Sequence, residues 1–405
     1  MFMPDAAAIA EGVLSRRKAT KWAALGLGLA LLAGCGAPSP GPFSDAAPAP
    51  PPPGPGAAPI VGGDTFGTGP VKVAAILPLT QNGQPSAVGQ SLRNAAQLAV
   101  DESGGGDITL TVLDDRSTPD GAAQAAQTAI GGGAEIVLGP LFAANVRQVA
   151  TAAKAANRPV IAFSTDASVA SSGIYLLSFL IEGYVDRVMD YAASHGKKTF
   201  SVMAPQTDFG NVVVNEAQLE ASRLNVQIGV VARYAPGQPS EAAQQIAGQP
   251  TPSDAVLIGE SADGAGAAAA ALAAKGYKGQ ILGTAVWNDL KALNAPALAG
   301  AWIAAPENGN FDAFAAKYKA KFSGDPVRLA TLCYDAVYLV AVLARTQGAQ
   351  RFSAGVLTNP SGFNGADGVF RFRADGLNDR GLAVLRIAHG ATTVLAPAPK
   401  SFAGG

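Results

Sequence analysis

VKVAAILPLTQNGQPSAVGQSLRNAAQLAVDESGGGDITLTVLDDRSTPDGAAQAAQTAIGGGAEIVLGP, residues 71–140, decides the fold. Three short apolar runs, Val71 to Leu77, Ile108 to Leu113 and Glu135 to Leu138, alternate with longer stretches of helical period. In the first of these stretches Val88, Leu92, Ala95, Ala96 and Ala99 form one apolar stripe, with Arg93, Asn94 and Gln97 outside it. The second predicts a helix from Asp120 to Ile130 after a loop from Asp114 to Pro119. Strands that are apolar along their whole length are buried on both faces, which is the habit of parallel sheets covered by crossover helices.

Further along the chain the same alternation continues. A helix near Asn145 to Ala156 leads into a strand Pro159 to Phe163, which completes one parallel-sheet lobe. A second series follows Leu180: helices Glu182 to Ser194, Asn211 to Arg223, Ser240 to Gly248 and Asp263 to Lys275 interleave with strands Thr199 to Met203, Val226 to Arg233, Ala255 to Ile258 and Gln280 to Leu282. Helices are expected at Phe311 to Phe322, Pro326 to Thr346 and Arg351 to Leu357. The runs Gly368 to Gly376 and Leu382 to Ile387 read as two antiparallel strands joined by a turn carrying Asp375-Gly376 and Asn378-Asp379.

The N-terminus is a targeting segment. Arg16, Arg17, Lys18 and Lys21 precede an uncharged apolar run from Trp22 to Leu32, then Ala33-Gly34-Cys35. That run is about half the ~20 residues that span a bilayer, so it reads as the h-region of a signal peptide, residues 1–34. Small residues before a cysteine suit a peptidase cut, and the thiol can take a thioether-linked lipid, so Cys35 is the expected lipidation site and the motif resembles a bacterial lipobox. Residues 35–70, rich in Pro, Ala and Gly, form a tether, because such a segment buries too little area to offset its ordering cost. Gly36 after the cysteine resembles the pattern of lipoproteins sent to the outer membrane.

Composition excludes several classes. A net charge of -1 over 405 residues, with no basic cluster beyond the signal peptide, offers no footprint for nucleic acid. The second of two cysteines, Cys333, lies in an apolar stretch and reads as a buried inert thiol. His195 and His389 have no ligand-spaced partners, Gly131-Gly132-Gly133 lacks the Lys-Ser/Thr of a phosphate loop, and no G-x-S-x-G occurs. No enzyme activity and no cofactor are expected.

The order and spacing of Ala75-Ile76-Leu77-Pro78-Leu79, Asp114-Asp115, Leu138-Gly139-Pro140, Arg158 to Ser164, Phe209-Gly210, Tyr334-Asp335-Ala336 and the terminal Gly-x-Phe-x-Phe run resemble the type I periplasmic binding proteins, in the group that binds leucine, isoleucine and valine. The resemblance implies an α/β fold of two Rossmann-like parallel-sheet lobes joined by three crossovers, near 178–182, 303–306 and 362–368. Lobe 1 would comprise residues 71–180 and 304–362, lobe 2 residues 181–303 and 363–396, with a flexible tail at 397–405. It also implies a receptor that closes on a small polar, amino-acid-like solute for ABC-type import or sensing. A second resemblance, to the outer-membrane lipoprotein activators of penicillin-binding proteins, implies a peptidoglycan synthase as partner in place of an ABC transporter permease.

A solute would sit at the C-terminal ends of the strands, among helix N-termini. The candidate ligand-binding residues there are Thr80, Gln81, Asn82 and Ser86; Ala143, Ala144 and Asn145; Ser164, Thr165 and Asp166; Phe209; Glu260 and Ser261; and Trp287 as a stacking plate. Asp114 and Asp115 are expected to shape their loop, and Asp120 to serve as a helix N-terminal charge. Matched to the amino-acid-binding relatives, Ala143 stands in place of a serine, Asp166 of a threonine, Val88 of an aromatic, Phe209 of a tyrosine and Ala285 of the acidic anchor. An unpaired buried charge is costly, so leucine held in the inherited pose is disfavoured.

Overall fold

The computed structural model describes residues 63–402; the signal peptide, Cys35 and the tether up to residue 62 lie outside the described residues. The first sheet is built from β1 (Thr65–Phe66) and β2 (Val71–Leu77), a small hairpin β3 (Thr80–Gln81) and β4 (Gln84–Pro85) standing beside it, then α1 (Ala87–Glu102), β5 (Ile108–Asp114), α2 (Pro119–Gly131), β6 (Ile136–Leu138), α3 (Ala143–Ala155), β7 (Val160–Ala162) and β8 (Ile174–Leu176). Its strand order is β1-β5-β2-β6-β7-β8, parallel except for β1.

The second sheet follows α4 (Ile181–Ser194). It takes β9 (Thr199–Pro205), α5 (Asp208–Leu224), β10 (Gln227–Tyr234), α6 (Ser240–Ala247), β11 (Ala255–Ile258), α7 (Ala262–Ala274), β12 (Gln280–Thr284), the short α8 (Leu290–Leu293) and β13 (Trp302–Ala305). The chain then returns to the first lobe with α9 (Asn308–Phe322), α10 (Ala330–Thr346), α11 (Ala354–Leu357) and an antiparallel sheet of β14 (Phe363–Gly365), β15 (Gly368–Phe372) and β16 (Asn378–Arg380). Finally β17 (Ala383–Ala388) and β18 (Ala391–Ala396) close the second sheet, whose order is β10-β9-β11-β12-β13-β17-β18.

Both faces of each sheet are covered, which is why the strands read as continuous apolar runs. In β2 the period of two sends Val73, Ala75 and Leu77 into the core shared with α1 and α10, and Ala74 and Ile76 into the opposite core shared with α2 and α3. Lobe 2 repeats this: Phe200, Val202 and Ala204 meet α4 and α5, while Val256 and Ile258 of β11 meet α6 and α7. Cys333 is fully buried in the α10 core, where burial raises its thiol pKa, as expected of an inert thiol.

Four helices start alike. Ser86, Thr118, Thr207 and Ser261 each cap a helix by accepting the backbone N–H of a glycine three residues on, Gly89, Gly121, Gly210 and Gly264. The glycines let the helix ends press against the strands that precede them: a Cβ on Gly89 would lie 2.0 Å from the Pro78 carbonyl oxygen, and one on Gly210 2.2 Å from that of Pro205. The helix N-termini are thereby drawn to the strands' C-terminal ends.

Four expectations are corrected. The strands at 368–376 and 382–387 do not pair with each other: β15 pairs with β14 and β16, while β17 joins β13. Phe370 and Phe372 sit in the lobe 1 core, and the Leu176 amide donates to the Gly376 carbonyl, so residues 363–380 stay with lobe 1 and the return to lobe 2 begins near Gly381. Residues 64–66, assigned to the tether, add an antiparallel edge to β5, the Val112 amide donating to the Asp64 carbonyl. The expected flexible tail is held through Phe402. Ala398 N–H donates to Glu307 at 2.7 Å, and the Arg371 guanidinium lies 4.7 Å from the Phe402 ring centroid.

Candidate functional site

Between the lobes lies a cavity of about 550 Å³. Lobe 1 gives it Pro78, Val88, Leu141, Phe142 and Phe163; lobe 2 gives Ile181, Tyr184, Ala285 and Val286; the crossovers give Phe179, Ala305 and Pro306. Polar groups are sparse on this wall. They are Gln81, Ser86, Thr165, Tyr184, Asn288 and Arg328, among the described residues the one lining residue with a formal charge.

That charge is already balanced. Arg328 donates from Nε and Nη2 to the buried carboxylate of Asp367, at 2.8 and 2.6 Å, and from Nη1 to Asn308 Oδ1 at 2.9 Å. Its guanidinium lies 5.0 Å from the Phe311 ring centroid. Beneath the cavity Arg380, with 4% of its side chain exposed, donates to the Ser178 carbonyl and lies 4.5 Å from the Phe179 ring centroid. Asn378 donates to the same carbonyl, so the first and third crossovers share one acceptor. Behind Arg380, burial pushes the Asp335 carboxyl up to about 7, and the cation lowers it only in part.

Of the candidate residues, Gln81, Ser86 and Thr165 line the cavity. Thr80 donates from its amide and hydroxyl to Asp114, which shapes the loop as expected of that aspartate. Asn82, with φ of 51°, and Gly83 make the turn of the β3–β4 hairpin. Ala143 and Ala144 open α3, and the buried Asn145 donates to Asp115 at 2.8 Å. Ser164 is buried and accepts from the Asp166 amide, while Asp166 caps a short turn and pairs with Arg147. Phe209 belongs to the lobe 2 core beside α4. Glu260 accepts from Tyr234 and Ser261, and Ser261 caps α7. Trp287 is fully buried, packs over Gly283 and donates its Nε1–H to the Glu260 carbonyl. The tryptophan therefore braces the lobe 2 loops instead of plating a ligand.

The expected polar cleft is thus largely apolar, because most loop hydroxyls and carboxylates are spent on caps and turns. Phe179, Ile181 and Arg328 are lining residues that the sequence reading does not single out as ligand contacts. The recurring Ser/Thr-x-x-Gly spacing is the available signal, since it commits those hydroxyls to helix ends. Among the described residues no group of His, Cys, Asp or Glu could hold a metal ion, and no helix is long and apolar enough to cross a membrane.

Two covered sheets with helix N-termini facing an interlobe cavity match a known arrangement, and a family model described as "Periplasmic binding protein" matches residues 70–392. The chain belongs to the type I periplasmic binding protein family. Periplasmic binding proteins of this family are non-catalytic. No curated protein matches the chain in sequence. Among solved structures, a leucine binding protein from Thermotoga maritima is 22% identical over 81% of this chain and 98% of its own, with a TM-score of 0.55. A putative branched-chain amino acid ABC transporter from Rhodospirillum rubrum is 17% identical over 80% and 99%, with a TM-score of 0.68. An ABC transporter solute binding protein from R. palustris in complex with benzoate is 17% identical over 82% and 97%, with a TM-score of 0.55.

Two outcomes are expected of this binding protein. Trp287→Ala should lower unfolding free energy by ~3–5 kcal/mol in urea titrations, the range for a buried large-to-small change; a loss of ligand affinity at unchanged stability would restore the plate. Burial pushes the Asp115 carboxyl up to about 6, against hydrogen bonds from Asn145 and Ser117 that lower it. Its folded pKa thus exceeds the unfolded value of about 3.9, so its contribution is greatest below about pH 4 and falls as pH rises through 6, by at most ~3 kcal/mol. The urea midpoint of Asp115→Asn should therefore gain on the parent between pH 4.5 and 7.5, and a pH-independent difference would refute the assignment.

Proposed function

We propose that this chain is an extracytoplasmic solute receptor that delivers one small molecule to the permease of a binding-protein-dependent ABC importer. The interlobe cavity carries the reading: its walls come from both lobes and from the crossovers, so a ligand that touches all of them gains most when the lobes are closed. The benzoate complex and the leucine binding protein indicate that this fold accommodates apolar ligands of different charge. A cavity of about 550 Å³ between the lobes also gives a small molecule priority over a role as activator of a peptidoglycan synthase. The N-terminal reading supplies the anchor, a lipid on Cys35; Gly36, which favours the outer membrane, weighs toward the alternative, an activator of a peptidoglycan synthase.

Native mass spectrometry of the full chain isolated from its own envelope tests the receptor. A reproducible extra mass, lost on denaturation and rebound saturably, is expected. A clean apo mass that stays clean after exposure to a broad metabolite mixture would overturn the reading. Separately, Cys35→Ser should move the chain from the membrane pellet to the soluble periplasmic fraction, whereas full retention in the pellet would remove Cys35 as the anchor.

A further inference from the structure

Given the receptor reading, on which this inference rests, the cavity's electrostatics say more about its ligand than its volume does. A buried ammonium needs a carboxylate, because a charge taken from water without a partner costs several kcal/mol. Among the described residues no aspartate or glutamate lines this cavity. The acids on surrounding elements are committed elsewhere: Asp114 accepts from Thr80 and the Arg116 amide, Asp166 pairs with Arg147, and Glu260 accepts from Tyr234 and Ser261. Both oxygens of Asp367 are taken by Arg328. Glu182, next to the lining residue Ile181, does not line the cavity, and the charges around it are those of Glu216, Asp166 and Arg373.

Groups of the opposite sign do converge there. Helices α1, α3 and α4 all begin at cavity-lining residues; α3 has no side-chain cap and no acid in its first turn, α1 is capped by Ser86, and α4 carries Glu182 in its first turn, whose carboxylate takes that residue's own amide N–H. Each helix N-terminus carries roughly half a positive charge. Arg328 stands on the same wall as the one lining cation among the described residues, its charge balanced by Asp367, so the site welcomes an anion without being a strong trap for one. Phe142, Phe163, Phe179, Ile181 and Val286 make the remainder of the wall apolar and partly aromatic.

We infer that the cavity takes a small apolar monocarboxylate without an ammonium group, an aryl or branched alkyl acid, in preference to the corresponding α-amino acid. The carboxylate lies toward the helix N-termini and the hydrocarbon against the phenylalanines.

Isothermal titration of the full chain with two matched pairs tests this: 3-phenylpropanoate against phenylalanine, and 4-methylpentanoate against leucine. In each pair the acid without the amine should bind at least tenfold more tightly. An amino acid that binds equally well or better overturns the inference and leaves the receptor standing. If none of the four binds, the molecule found by native mass spectrometry decides: a ligand bearing an ammonium, or lacking a carboxylate, overturns the inference alone, and an apo protein overturns the receptor as well. Ala285→Asp provides a control of opposite sign, since it sets a carboxylate on a half-buried stretch of the wall. In that variant the preference for the acid should shrink at least tenfold, and an unchanged ratio counts against the assigned charge pattern.

Discussion

The bidentate pair of Arg328 and Asp367 is the constraint around which the cleft is organised. Asp367 has no exposed side-chain surface, and an isolated carboxylate in such a place would be strongly destabilising. The pair joins the segment before α10 to the β14–β16 sheet, and Arg328 also donates to the Glu307 carbonyl at the second crossover. Removing Arg328 would strand the buried Asp367 carboxylate and release the link between the segment before α10 and the second crossover. Arg380 repeats the device beside it, with its guanidinium over Phe179 and its donors on Ser178 and Asp367 carbonyls. Charge at the hinge is therefore spent on holding the chain crossings in register, and little is left for the cavity.

This distribution explains which parts of the molecule are legible in the sequence. Strands β2 and β11 are delimited to the residue, because a strand buried on both faces is bounded where its apolar run stops. Helices are recognisable but their expected starts are displaced, early for α10, which opens at Ala330 where Pro326 is expected, and late for α5, which opens at Asp208 where periodicity points to Asn211. The missing turn contains Phe209 and Gly210, and its signal is the cap at Thr207, which periodicity does not weigh. The C-terminal strands mislead for a different reason. Hairpin chemistry in the turn at Asp375-Gly376 is real, but it joins β15 to the short β16, and the longer apolar run of β17 belongs with β13 in the other lobe. Partner choice between distant strands leaves no local trace.

The cleft is legible in position and misleading in chemistry. Loops at the strand ends do surround the cavity, and the substitutions at Val88, Phe209 and Ala285 point away from a zwitterion's partners. Counting hydroxyls and amides in those loops overstates the polarity of the site, because side chains such as Ser86, Asp166 and Glu260 bond to backbone and neighbours within their own loops. Satisfying a helix end or a turn stabilises the fold whether or not a ligand is present, so such groups are claimed first by the fold.

The course of the chain after β18 has a practical side. Residues 397–402 run back to the crossovers, where Ala398 meets Glu307, Pro399 packs by Gly381 and Phe402 lies on Arg371. A fluorophore attached within residues 397–402 would sit beside the crossovers. That makes this segment a favourable place for a small reporter of changes at the crossovers and a poor place for bulky labels when native binding is to be measured.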